Sequence, residues 1–577
     1  MEVRRPFPTR GVLRRPPIRP IDVLVGGAII GLLYGVVRLA GSMNAAFPPH
    51  SVSKVSSDPT NLPYYAARSL LRMFIALGIS TVFTFVYATA AARSRRAEKV
   101  LIPILDILQS VPILGFLTFT VTFFVNAFNG SLFGLECAAI FAIFTSQAWN
   151  MTFSFYHSLV TQPPDLDEAA RMLRLTKWQR FWRLDVPGSM IGLVWNGMMS
   201  FGGGWFFLAA SEAITVLNKQ YALPGIGSYV ATAATEGSLS HTFIAILVMI
   251  IVVLGVNFVF WRPLVAWAEK FRVEESEAAE KPRSIMLDIL RRSSVPGFLG
   301  RVLRPVGRLL DRITRPFGRA EYPLRADERR RRRGDLVFWA VVIAVVAWGA
   351  YAGLAYVNRT VGFSQFPHAF GLGAITLLRV VILVIGATLV WVPIGVWIGM
   401  NPRLSRFAQP IVQILASFPA NFLFPFAAAV FVAFGISLNI GGIFLMALGA
   451  QWYILFNVIA GASAIPTDLR EAMTNFGVRR WLSWKRLILP AIFGAYVTGG
   501  ITAAGGAWNA AIVAEVVTFG SHHLTATGLG AYITHASQNG DLAKVLVGVI
   551  VMSFYVVIIN RLLWRRLYRL SETKYSL

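Results

Sequence analysis

The sequence predicts an all-α integral membrane protein of twelve transmembrane helices, built as two parallel six-helix repeats about a pseudo-twofold axis along the membrane normal. Three observations carry that prediction. The 577 residues are 55% hydrophobic and only 14% charged, with mean hydropathy +0.59, where a soluble chain would carry about 25% charged residues. Apolar stretches long enough to cross roughly 30 Å of hydrocarbon recur along the whole chain. Residues of the first half also return in the second at a nearly constant offset.

The first six stretches begin near Ile21, Tyr64, Val100, Leu132, Ile191 and Thr242; the second six begin near Leu336, Gly373, Phe407, Asn439, Ala491 and Leu542. This divides the chain into a basic arm (1–20), a first six-helix unit (21–268), a linker (269–335), a second unit (336–565) and a tail (566–577). The arm, with Arg4, Arg5, Arg10, Arg14, Arg15 and Arg19, looks superficially like the start of a signal peptide. No small-residue cleavage site follows, so the apolar run is read as a retained first helix.

Basic residues set the orientation. The arm, the RSRRAEK loop (Arg93–Lys99), the Arg171–Arg183 loop and the linker are rich in Arg and Lys, whereas Gly41–Pro63, Asn129–Ser131 and Tyr221–Ser240 are poor in them. By the positive-inside rule, both termini and the linker are cytoplasmic. The net charge of +26 therefore belongs to membrane topology, and nucleic-acid binding is set aside. Cys137 is the only cysteine, which excludes an intrachain disulfide or a cysteine metal cluster. The seven histidines show no metal-site spacing.

The linker changes character midway. Its first part carries Glu274, Glu275, Glu277 and Glu280; Arg291–Arg333 then holds 14 Arg against Asp311, Glu321, Asp327 and Glu328, a net +10. Phe298–Ile313 mixes apolar residues and arginines at helical spacing, interrupted by Pro305. Such a segment lies on an anionic membrane surface or serves as a solvated tether.

The repeat is read residue by residue. An offset of 303 relates Trp149 to Trp452, Glu168-Ala169 to Glu471-Ala472, Pro187 to Pro490, Gly202-Gly203 to Gly505-Gly506, Trp205 to Trp508, Glu212 to Glu515 and Tyr229 to Tyr532. Upstream the offset is 307, relating Leu71-Arg72 to Leu378-Arg379, Ser110 to Ser417 and Pro112 to Pro419. An even number of spans per copy makes the two copies parallel, with the path between them.

Between the fourth and fifth spans of each unit lies the most specific motif: EAARMLRLTKWQRFWRLDVP (Glu168–Pro187) and EAMTNFGVRRWLSWKRLILP (Glu471–Pro490). Each reads as a short helix after Pro163 or Pro466, with Asp165 or Asp468 able to cap it. Ala169, Ala170 and Leu173, or Ala472, Met473 and Phe476, would form a compact apolar face suited to a partner's groove. These segments resemble the EAA loops of binding-protein-dependent ABC importer permeases of the type I fold. PILDILQSVPIL (Pro103–Leu114), the Trp205–Glu212 spacing and LPGIG (Leu223–Gly227) place the resemblance nearest the nitrate, sulfonate, taurine and bicarbonate group.

That resemblance implies that Glu168, Ala169, Ala170, Leu173 and Arg174, with Glu471, Ala472, Met473, Phe476 and Gly477, dock on separate ATPase subunits. It implies two ATPase copies that carry ATP and magnesium, a periplasmic or lipid-anchored solute-binding protein, and a place in the bacterial cytoplasmic membrane. No GxxxxGK[ST] occurs, so ATP hydrolysis is not expected in this chain, nor any cofactor or metal. Arg174 stands where the second copy has Gly477; arginine resists positive φ, which predicts altered geometry in the first loop. The alternative function is an ion-coupled secondary transporter with two six-helix halves, which leaves the duplicated loop without a role.

Ionisable groups within apolar spans are costly and become functional candidates. Arg72 with Glu212, and Arg379 with Glu515, form matched sets: either buried ion pairs that neutralise each other, or groups that attract an anion or gate its path. Asp106, Gln109, Ser110 and Ser417 on the third spans are further path candidates. Gly202-Gly203 and Gly505-Gly506 permit close helix approach or a hinge.

Overall fold

The computed structural model describes residues 20–41, 55–128, 131–216, 219–271, 284–314, 328–478 and 480–574. The arm through Arg19, the acidic part of the linker (Glu274 to Glu280) and the Ser110 side chain lie outside that description.

The first repeat contains α1 (Pro20–Gly41), α2 (Leu62–Arg93), α3 (Arg95–Ser110), α4 (Ile113–Ala127), α5 (Leu132–Val160), α6 (Pro164–Met172), α7 (Lys177–Arg180) and α8 (Val186–Glu212). It continues through a hairpin of β1 (Ala213–Val216) and β2 (Lys219–Ala222), then α9 (Ile226–Thr235), α10 (Leu239–Val256) and α11 (Arg262–Ala268). The linker forms α12 (Ile285–Arg292) and α13 (Val295–Thr314).

The second repeat mirrors the first: α14 (Glu328–Thr360), α15 (Gln365–Gly399), α16 (Pro402–Ser417), α17 (Phe424–Phe434), α18 (Leu438–Ser463), α19 (Thr467–Asn475), α20 (Arg480–Ser483) and α21 (Leu489–Ala514). A hairpin of β3 (Val516–Phe519) and β4 (His522–Thr525), α22 (Leu529–Gln538), α23 (Leu542–Ile559) and α24 (Arg565–Lys574) complete it. Both hairpins are antiparallel. They and the short helices α9 and α22 occupy stretches that hydropathy shows only as loops.

Among the described residues, nine helices are long and apolar enough to cross a bilayer; the bent pairs α3–α4 and α16–α17 bring the number to eleven. The twelfth predicted span is α8, a 27-residue helix rich in glycine and serine. The third span of each repeat is broken instead of straight, with an 81° bend between α16 and α17. The cause is proline: Val111 (ψ 126°) and Phe418 (ψ 132°) are extended because each precedes one, at Pro112 and Pro419, and the α region is disfavoured there. The repeat extends to fine irregularities. π-turns at Phe181–Asp185 and Trp484–Ile488, and at Asn257–Trp261 and Asn560–Trp564, fall at equivalent positions.

The chain forms two compact units: Met1–Ala40 with Pro163–Ile191 and Asn257–Tyr322, and Gly41–Gln162 with Gly192–Val256 and Pro323–Leu577. In the larger unit, α4 packs on α23 and α17 packs on α10, an exchange expected of pseudo-twofold repeats. The Asn509 side chain accepts a 2.8 Å bond from the Ile113 N–H, and Thr118 meets Ser537 at 2.7 Å. Gly202 lies against Ser417 so closely that a Cβ on it would collide, which supports the close-approach reading of that glycine. Within the predicted tail, residues 566–574 belong to α24, which packs on α21.

In the smaller unit the Asp22 carboxylate, in the first turn of α1, accepts bonds from Ser293 Oγ (2.9 Å) and the Ser294 N–H (2.6 Å). This fixes the start of α13 beside the start of α1. Ser284 caps α12 through the Leu287 N–H at 3.3 Å.

Candidate functional site

Each EAA segment folds as two short helices joined by a left-handed turn. Pro163 and Pro466 occupy the N-cap positions without side-chain capping. The expectation that Asp165 and Asp468 cap these helices is therefore corrected: both lie inside the first turn, where a carboxylate acts on the helix dipole and the unpaired N–H groups.

The C-terminal turns are the same in both copies. Arg174 adopts φ 50° and Gly477 φ 61°. The Leu175 N–H bonds to Ala170 O at 3.1 Å, and the Val478 N–H bonds to Met473 O at 3.0 Å. Altered geometry at Arg174 was the expectation; the backbone instead holds the left-handed turn with an arginine in it. The hydrogen bonds closing the turn, and the Thr176–Gln179 capping box that starts α7 at once, over-determine that conformation.

The predicted apolar faces are only partly presented. Ala170 is buried and Met473 packs into the core, so these two point inward. Leu173 and Phe476 point out, 72% and 84% exposed, and Glu168, Ala169 and Glu471 are exposed beside them. Ala472 is half-buried. Met172, 85% exposed, extends the outward surface of the first loop. In that loop Asp167 pairs with both Arg171 and Arg180.

The buried charges form two clusters of unequal size. In the second repeat, Arg379 Nη1 donates to Glu515 Oε1 at 2.7 Å, and its remaining donors reach Asn439 and the Thr527 carbonyl. In the first, Arg72 Nη1 donates to Glu212 at 2.7 Å and to the Pro224 carbonyl at 3.0 Å. A second carboxylate, Glu136, takes Arg72 at 2.5 and 2.7 Å and also pairs with Arg68. All four of these side chains are buried. Two cations face two anions in the first cluster and one faces one in the second, so each is formally neutral.

The glutamates also hold the short helices that follow the hairpins. Glu212 accepts from the Gly227 N–H at 2.7 Å, and Glu515 from the Ala531 N–H at 3.0 Å. Ser69 bridges Glu212 to the Ile226 N–H, and Thr376 bridges Glu515 to the Leu529 N–H. A Cβ on Gly225 or Gly528 would fall on the carboxylate.

Arg68 and Glu136 went unpredicted. Arg68 lies one helical turn before Arg72 and Glu136 early in α5, both visible as charges in apolar stretches. The repeat hid them, since the matching positions are Ile375 and Asn439. The remaining candidates lie apart from the clusters. Asp106 pairs with Arg565 at 3.0 Å, Gln109 donates to Asn150 at 3.1 Å, and Ser417 bonds its own helix at the Gln413 carbonyl.

Comparison with known proteins gives a family. The binding-protein-dependent transport system inner membrane component matches residues 80–262 and again 391–575. The nitrate import permease protein NrtB of Leptolyngbya laminosa is 26% identical over 189 residues, 33% of this chain and 64% of that protein. The bicarbonate transport system permease protein CmpB of Synechococcus elongatus is 25% identical over 175 residues, 30% of this chain and 60% of the relative. The glycine betaine/proline betaine permease ProW of Escherichia coli is 23% identical over 225 residues, 38% of this chain and 60% of ProW. The chain thus spans less than two-thirds of each of these relatives. With the family matched twice, over well more than half of the sequence, the chain belongs to the inner membrane components of binding-protein-dependent transport systems, as a tandem permease.

Proposed function

We propose that this chain is the transmembrane permease subunit of an ATP-driven importer, with two coupling loops supplied by one polypeptide. The observation that carries this reading is the pair of EAA loops, with the same left-handed turn and an outward apolar side chain, Leu173 or Phe476, on each. Two such loops suit two ATPase subunits, which would bind ATP and magnesium and transmit closure through them. A solute-binding protein outside the cell would deliver the cargo. The basic loops support cytoplasmic termini in a bacterial inner membrane.

Nitrate and bicarbonate in two relatives' names support a small anionic solute; the betaines of a third keep small zwitterions as the competing class. The buried clusters suit a structural role. Arg72, Glu212, Arg379 and Glu515 are buried and use their hydrogen-bonding capacity on one another, on neighbouring side chains and on the backbone. They hold α9 and α22 in place, and the solute passes elsewhere, along the junction between the repeats.

Co-purification with the cognate ABC ATPase tests the proposal. A stable complex is expected, with ATP hydrolysis stimulated by the permease. A complex unaffected by Leu173→Asp with Phe476→Asp would overturn the role given to these loops.

A further inference from the structure

Helix α13 is amphipathic, and its apolar side chains are exposed. At about 100° per residue, Phe298, Val302, Val306, Leu309 and Ile313 share one face, all between 52% and 58% exposed. Arg301, Arg304, Arg308 and Arg312 occupy a separate stripe and are exposed as well. Asp311, the one acidic residue of the helix, faces Arg183 at 3.9 Å and so opposes the stripe less. Pro305 does not break the helix.

An apolar face beside a row of arginines matches a bilayer surface, where apolar side chains enter the acyl boundary and cations meet lipid phosphates. A soluble tether would have no use for five uncovered large apolar side chains in register. The placement agrees: Ser293 and Ser294, which lead into α13, are bonded to Asp22 in the first turn of the apolar helix α1. The helix therefore starts at the level where a membrane span begins.

We propose that α13 is a lipid-binding helix, seated in the anionic headgroup layer of the inner leaflet. This rests on the cytoplasmic orientation proposed above. It makes the linker a part of the membrane-embedded machine whose seating depends on lipid charge and ionic strength.

The test uses the full chain with Cys137→Ser and a single Val306→Cys carrying an environment-sensitive fluorophore, in nanodiscs of phosphatidylcholine with or without phosphatidylglycerol. Quenching by spin-labelled lipid is expected in the anionic discs, and much less in neutral discs or high salt. Each arginine contributes about fivefold to the seating equilibrium, so replacing all four by Gln lowers it by roughly several hundredfold. Equal quenching by aqueous iodide in both lipids would overturn the proposal, as would burial of the label only on addition of the ATPase. The lipid comparison stands if the four-site variant fails to fold. Labelling of Val306→Cys by an impermeant thiol reagent outside intact cells would overturn the orientation instead, leaving the lipid dependence readable.

Discussion

Glu136 grips Arg72 with both carboxylate oxygens, 2.5 Å from Nε and 2.7 Å from Nη2, in a fork geometry that only an arginine offers. The second repeat achieves the same orientation of Arg379 with a neutral Asn439. The difference between the copies is therefore a balanced insertion: Arg68 and Glu136 come together or not at all.

This balance predicts a non-additive pair. Glu136→Gln leaves two buried guanidinium groups facing one carboxylate and should cost about 3–5 kcal/mol. Arg68→Ile with Glu136→Asn copies the second repeat and should lose far less than the single change. Thermal unfolding of the detergent-solubilised chain reads both, and a double variant as unstable as Glu136→Gln would contradict the assignment.

Contact with the glutamates predicts strict glycine at two positions. Gly225→Ala and Gly528→Ala place a methyl group on the carboxylate and should destabilise by about 1–3 kcal/mol through overpacking. Gly505→Ala, with open space around it, should be neutral or stabilising by up to about 1 kcal/mol within its helix. Matching losses at all three sites would refute the packing argument.

Strain at Arg174 predicts an improvement. A non-glycine residue in the left-handed region costs roughly 1–2 kcal/mol, so Arg174→Gly should raise the stability of the α6–α7 loop by about 1 kcal/mol, seen as slower amide exchange at Leu175. ATPase stimulation should persist, since the turn is unchanged. Gly477→Arg should show the opposite sign.

The outward and inward residues of the loops predict opposite phenotypes. Phe476→Ser should weaken ATPase capture tenfold or more, by about 1.4 kcal/mol, and leave the permease as stable as before. Met473→Ser, whose side chain packs inward, should lower the unfolding temperature first. Equal effects on capture and stability would mean that the exposed side chain has no docking role.

Much of this architecture was legible from spacing. Hydropathy located the spans, and the register from Trp149–Trp452 to Tyr229–Tyr532 established the duplication. The breaks at Pro112 and Pro419 were present in the letters, but a window of apolar residues averages across them. The hairpins and α9 were missed because they are short and held by tertiary bonds, such as Gly227 to Glu212, that no local pattern displays. The repeat revealed Arg72 and Glu212 and obscured Arg68 and Glu136: symmetry points to what both copies keep and is blind to what one copy adds. At Arg174 the propensity argument described the strain correctly and the outcome wrongly, because surrounding bonds outweigh a preference of one or two kcal/mol.

The bond from Ser293 to Asp22 joins residues 271 positions apart. At ribosomal speeds of about 5–20 residues per second, α1 waits roughly 15–55 s after its own synthesis before that serine exists. The opening helix is thus laid down early and secured late, once the entire first permease unit has been threaded. Cutting the message between Phe271 and Ser284 would turn a timed, intramolecular closure into a search between independently synthesised pieces.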